Sequence, residues 1–176
     1  NRSTRLLGFT AGEFDMTFDS DVTFPLLKDV KSSKPDAVCE ARPTNVSSNL
    51  LVNRDKEPFN NPDIRKAMVL SLDLKAFNEI LFQGNALEGA TMLPPPAGVW
   101  GMSEEIAKTL PGYGDVEKAR EEARGLMKEA GYDPKKSPPV RLEFSTGYPE
   151  EGAFAEAMQQ MLQAVGFNVT VVSVPV

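Results

Sequence analysis

The chain has 176 residues, 41% hydrophobic and 25% charged; this excludes a largely disordered polymer, and no apolar run nears the ~20 residues of a membrane-spanning helix. Nineteen basic residues against 25 acidic ones give a net charge of −6, without the concentrated basic patch of a nucleic-acid-binding protein. Histidine is absent and cysteine occurs once, which removes His-based triads, His acid/base relays and His metal sites, internal disulfides and zinc clusters.

Taken in chain order, Arg2 to Ala11 reads as a short helix with Gly12 as its stop. Phe14 to Phe18 alternates with period two and is expected to be a strand. A second short helix is expected over Val22 to Val30, followed by a turn cluster at Ser32 to Asp36. Two further strands are expected, near Val38 to Arg42 and Val46 to Asn53. The first of these gives Cys39 a half-buried sheet position.

Asn61-Pro62-Asp63 is a helix start: a cap, a proline at the first helical position and an acid in the first turn. Ile64, Ala67, Met68 and Leu72 then fall on one side. Asp73 caps a helix with Leu74, Phe77 and Leu81 at helical spacing, ending at Gly84. Residues 85–101 are irregular and contain Pro94-Pro95-Pro96 and Gly98 to Gly101. Asp115 caps a long helix that Gly131 stops. A strand at Val140 to Phe144, a helix opened by Glu150 and Glu151 and closed by Gly166, and a β-rich run from Phe167 to Val174 complete the chain. The alternation predicts an α/β fold with a mixed sheet flanked by helices, in a single domain over 1–176. The start at Asn1-Arg2-Ser3 and the end at Val174-Pro175-Val176 are expected to be cuts within a longer polypeptide.

The residue patterns carry little chemistry. No phosphate-binding glycine motif follows a strand. Asp15, Asp19 and Asp21 miss the calcium-loop spacing, so a solvated, helix-capping role is expected for them. Glu104-Glu105 and Glu121-Glu122 are sequence neighbours that point about 100° apart on a helix, a poor arrangement for a glycosidase pair. Trp100 lies in a Gly- and Pro-rich loop outside every periodic apolar face, so it is weighed both as a ligand-site wall and as packing beneath its loop. The Met and Phe stripes of the helices are read as core.

Four stretches resemble one family along nearly the whole chain. They are Arg5-Leu6-Leu7 with Ala11 to Asp15; Pro58 to Ala67 running into Leu72-Asp73, then Gly84 and Leu93-Pro94-Pro95; Asp115 to Tyr132 with Lys118-Ala119 and Glu129 to Tyr132; and Gln159, Leu162, Val165 to Phe167 and Val169. In this order they are similar to bacterial extracellular solute-binding proteins of the oligopeptide, dipeptide and nickel class, which serve ABC importers. Two departures are that Leu74 stands where an arginine usually follows the Asp, and that the Asp115 helix is about one turn longer than the commonest pattern.

The resemblance implies a fragment of the second lobe of a type II periplasmic-binding-protein-like fold, with the first lobe and a C-terminal segment lying outside it. It further implies capture of a peptide or peptide-like solute between two lobes and delivery to a permease in the inner membrane. The protein is then periplasmic, or lipid-anchored outside the cytoplasm, a monomer that is not an enzyme and carries no cofactor, metal or nucleic acid. In α/β lobes ligands gather beyond the carboxyl ends of strands. Ser145, Thr146 and Tyr148, with Gly147 between them, are therefore ligand candidates, as are Asn45, Ser47, Asn49 and Trp100. Two other readings compete: a carboxylate-based hydrolase domain, which needs converging acids of raised pKa, and an interaction module that presents the Pro-rich loop.

Overall fold

A computed structural model describes residues 2–18, 21–40, 49–86, 101–133, 135–137, 139–147 and 149–175. Its elements are α1 (Arg2–Ala11), α2 (Phe24–Ser33), α3 (Pro62–Ser71), α4 (Leu74–Phe82), α5 (Glu104–Ala107), α6 (Val116–Glu129), β1 (Pro139–Ser145), α7 (Pro149–Gln163) and β2 (Asn168–Val174).

The cap residues do what their chemistry dictates. The Asn61 side chain accepts from the Asp63 N–H, Asp73 from Ala76, and Asp115 from Lys118. Each satisfies one of the donors that a helix start leaves orphaned. At its other end α6 closes through two bonds, Gly131 N–H to the Lys128 carbonyl and Tyr132 N–H to the Met127 carbonyl, both near 3.0 Å. The φ of +80° at Gly131 is the left-handed turn this closure needs. The same pair of bonds ends α7, from Gly166 to Gln163 and from Phe167 to Leu162, and delivers Phe167 into the core.

α7 is the crossover that joins β1 to β2. The two strands run parallel, in register from Pro139 opposite Asn168 to Ser145 opposite Val174. Val140 and Val169 are buried on the face toward α7, whereas Arg141 and Glu143 are exposed on the other and pair at 2.8 Å. At the start of β2, Gln159 and Gln163 of α7 both donate to the Val169 carbonyl.

The main core collects Ile64, Ala67, Met68 and Leu70 from α3, Phe77 from α4, Ala123 and Met127 from α6, and Met158, Met161 and Leu162 from α7. Phe77 and Phe154 stack with centroids 4.6 Å apart. Fully burying a side chain such as Ile64 contributes roughly 1.5–3 kcal/mol, so packing rather than intrinsic propensity holds these short helices. A second, smaller cluster of Phe9, Val30 and Ala37, with Leu6 and Val22 against it, lies between α1 and α2.

The α/β class holds, and the sheet of the described residues is this parallel pair. The strands expected at 14–18, 38–42 and 46–53 are not strands where they are described; residues 41–48 lie outside the described residues. Alternation specifies two faces but not a partner, and among the described residues none of these segments pairs into a sheet. Phe14, Met16, Phe18, Val38 and Leu51 are accordingly exposed. Cys39 is exposed as well, a correction to its expected sheet position. The helix expected from Val22 begins at Phe24, behind the extended Thr23 and ahead of Pro25 at its start. Asp21 is buried rather than solvated, and the four-residue α5, capped by Ser103, is an element the apolar pattern does not announce.

Candidate functional site

Ligands of parallel α/β sheets collect beyond the carboxyl ends of the strands, where loops fan out and helix N-termini point. In this chain that end is formed by Ser145 closing β1 with Thr146 and Gly147 after it, by Val174 and Pro175 at the end of β2, and by the first turn of α7.

The loop is tied from three sides. The Ser145 N–H donates to Glu151 Oε2 at 2.9 Å, the Thr146 N–H to the Val174 carbonyl at 3.0 Å, and the Gly147 N–H to Ser145 Oγ at 3.1 Å. Its backbone donors are thus engaged; Thr146 is exposed and Ser145 half-buried, the Ser145 hydroxyl accepting from the Gly147 N–H. Phe144 packs beneath, its ring 3.4 Å from where a Gly152 β-carbon would lie.

The first turn of α7 is held from the far side too. Arg2 of α1 forms a two-point pair with Glu150, Nη1 to Oε2 at 2.9 Å and Nη2 to Oε1 at 3.1 Å. One turn along α1, Arg5 Nε donates to Asp21 Oδ1 at 2.7 Å, and the Phe18 N–H reaches Asp21 Oδ2 at 3.3 Å. The hydrogen bond from Arg5 holds the Asp21 carboxyl below its ordinary range; burial opposes this, and the Phe18 N–H and the charges of Arg5 and Arg2 add to it. Partial burial pushes the Glu150 carboxyl up, but the Arg2 hydrogen bonds, its own N–H and the Arg2 charge outweigh this and leave it lowered. Both acids stay ionised, the opposite of what a general acid needs.

The sequence candidates divide as follows. Ser145 and Thr146 stand together at the sheet end. Asn49 is exposed in the coil that leads to Leu50 and Val52, which pack on the main core. Asn45, Ser47, Trp100 and Tyr148 lie outside the described residues. Glu151 and Arg2 are not among the candidates the sequence offers. Glu151 reads in the sequence as a helix-start acid, and only the fold shows that it grips the Ser145 backbone.

Two open depressions lie elsewhere. One of about 350 Å³ is lined by Arg65, Lys66, Val69, Leu110, Pro111 and Tyr113, and one of about 220 Å³ by Ile80, Arg120, Ala157, Gln160, Met161 and Ala164. Their cations are already used: Lys66 pairs with Glu122, Arg65 donates to the Phe59 and Asn60 carbonyls, and Arg120 donates to the Ser71 carbonyl. Among the described residues no group of three or more Cys, Asp or Glu side chains is placed to hold a metal ion.

The family model of the bacterial extracellular solute-binding proteins, family 5 Middle, matches residues 1–176. The chain is 30% identical over 133 residues to the heme-binding protein A of Haemophilus influenzae, covering 74% of this chain and 22% of that protein. It is 27% identical over 175 residues to the periplasmic oligopeptide-binding protein OppA of Escherichia coli K12, covering 94% of this chain and 29% of that protein. It therefore spans less than a third of the length of these curated relatives. Among solved structures, the periplasmic EDTA-binding protein EppA superposes with a TM-score of 0.74 at 18% identity, over 99% of this chain and 34% of that one. At that identity the likeness is one of fold: a partial lobe of a type II periplasmic binding protein.

Proposed function

The chain belongs to the bacterial extracellular solute-binding proteins of family 5, and from that membership we propose that it is part of the second lobe of the substrate-binding component of an ABC importer. The whole protein captures a peptide or a related small solute between two lobes, outside the cytoplasm, and delivers it to a permease in the inner membrane. The observation that carries this reading is the family match along the entire chain. The named ligand of the oligopeptide-binding relative supports a peptide as solute.

The site geometry suits capture rather than chemistry. A sheet end with its loop tied in place offers a preorganised polar wall, on which Ser145 and Thr146 meet the polar groups of the solute. Such a wall costs little ordering on binding. Closure of two lobes then follows from contacts that are better in the closed state than in the open one. Asp21 and Glu150, each paired with an arginine and lowered, are not the raised-pKa acid that a carboxylate-based hydrolase uses.

A thermal-shift panel on the full-length protein tests the proposal, using di- to pentapeptides, a nickel chelate, sugars and opines. A ligand at about a hundred times its dissociation constant stabilises by about 2.7 kcal/mol, a readily measured rise in midpoint. A shift confined to peptides is the expected result. Turnover of a substrate by the full chain, or no shift with any of these solutes, overturns the reading.

A further inference from the structure

We propose that Arg2 is a positioning residue for the 145–147 loop, acting through Glu150 on the first turn of α7; its effect on solute affinity rests on the function proposed above, but its effect on the loop does not.

Three observations lead to this. The buried apolar residues of the α1–α2 unit form their own cluster, separate from the main core. Shared burial of those residues therefore does not fix where α1 sits against α7, and the two-point Arg2–Glu150 pair joins them directly, across 148 positions of sequence. A guanidinium facing a carboxylate with two parallel bonds specifies orientation as well as distance. Second, Arg2 is anchored: its side chain is only 15% exposed, and Arg5 on the next turn of the same helix is locked to the buried Asp21. Third, the two acids that open α7 face different partners. Glu150 holds α1, while its neighbour Glu151 holds the Ser145 N–H at 2.9 Å. The first turn of α7 is thus clamped between α1 and the loop, and a shift of α1 is passed to Ser145, whose hydroxyl in turn holds Gly147.

The test uses the full-length protein, ligand-free, and reads hydrogen exchange at the Ser145, Thr146 and Gly147 amides in four forms: wild type, Arg2→Ala, Arg2→Lys, and the double exchange Arg2→Glu with Glu150→Arg. For Arg2→Ala the expected result is about a two- to fivefold rise in exchange at these amides, the range of a partly exposed ion pair. The amides of Leu162 and Val169 stay unchanged. Lysine, which offers a point charge without the fork, restores part of the protection, and the double exchange restores most of it. Raising salt from 50 mM to 1 M speeds the exchange of these amides in wild type and not in Arg2→Ala, because the pair is screened. Affinity for trialanine falls in parallel with the loss of protection.

Unchanged exchange at 145–147 in Arg2→Ala overturns the proposal, as does a rise spread evenly over Leu162 and Val169, or a double exchange that recovers nothing. If Arg2→Ala does not fold, Glu150→Gln breaks the same charge pair with the shape kept, and the same criteria apply. Because the exchange is read without ligand, a panel in which no solute shifts the midpoint sinks the importer reading alone, and a loop indifferent to Arg2 sinks the positioning role alone.

Discussion

Gly112 lies directly against the backbone of Val69: a β-carbon at Gly112 would fall 3.1 Å from the Val69 carbonyl oxygen and 3.2 Å from its Cγ1. The loop after α5 thereby seats on α3, with Gly112 at a φ of +87° that L side chains rarely adopt. Gly112→Ala meets both obstacles, and the blocking atom is backbone that cannot rotate away. A loss of about 1–3 kcal/mol in stability is expected. Gly114→Ala, where nothing lies within 4 Å, is the control and should be close to neutral. Urea midpoints of the two variants decide it; equal midpoints refute the close approach.

The α3–α6 contact rests on small residues. Ala67 and Ala123 are both fully buried beside the fully buried Ile64, which lets the two helices approach closely. Ile64→Ala should cost about 2–5 kcal/mol through lost transfer energy plus a cavity. Ala123→Val should cost about 1–3 kcal/mol for the opposite reason, since the added methyls have no room. Denaturant unfolding of both variants measures this, and a tolerated Ala123→Val would mean the helices can spread.

Much of this helix framework was readable from the amino acids because its signals are local. Asn61, Asp73 and Asp115 were legible as caps from a few neighbouring residues, and all three accept the expected backbone N–H. The strands at 140–144 and 167–174 were legible from their β-rich runs on either side of a helix, whereas their parallel pairing is shown only by the fold. The segments 14–18 and 38–40 alternate as well as β1 does, yet they are coil, since pairing depends on a neighbour that alternation does not encode. The candidate site divides along the same line. Ser145 and Thr146 could be named from their place after a strand, whereas Arg2 acts across the fold, 148 positions from its partner, and Glu151, only six positions from Ser145, reads in the sequence as a helix-start acid alone.

Asp21 makes stability depend on acid. Its carboxyl is buried against Arg5 and the Phe18 N–H, and its pKa lies below the ordinary 3.8. A group whose folded pKa is depressed stabilises fully above its unfolded pKa and loses that contribution as pH falls through the folded one. Thermal midpoints of wild type should therefore hold steady down to about pH 5 and fall below pH 4, in part through Asp21. Asp21→Asn should lower the midpoint at pH 7 and flatten the decline below pH 4. A variant whose curve parallels wild type throughout would remove Asp21 from the acid response.

Glu151 gives the most local prediction. Its Oε2 accepts the Ser145 N–H at 2.9 Å, at the point where β1 ends and α7 begins. It also places negative charge in the first turn of α7, where the helix dipole favours it. Glu151→Ala removes both effects and leaves the Ser145 N–H to water, so a loss of about 0.5–1.5 kcal/mol is expected, the net worth of one such hydrogen bond. Glu151→Gln keeps an acceptor at the same reach and removes only the charge, so it should lose less. The amide of Ser145 should exchange fastest in the alanine variant and at an intermediate rate in the glutamine variant. The Thr146 amide, bonded to the Val174 carbonyl instead, should respond more weakly. Were the two variants to expose Ser145 equally, the charge rather than the hydrogen bond would be what fixes the loop, and the geometry at 2.9 Å would be incidental.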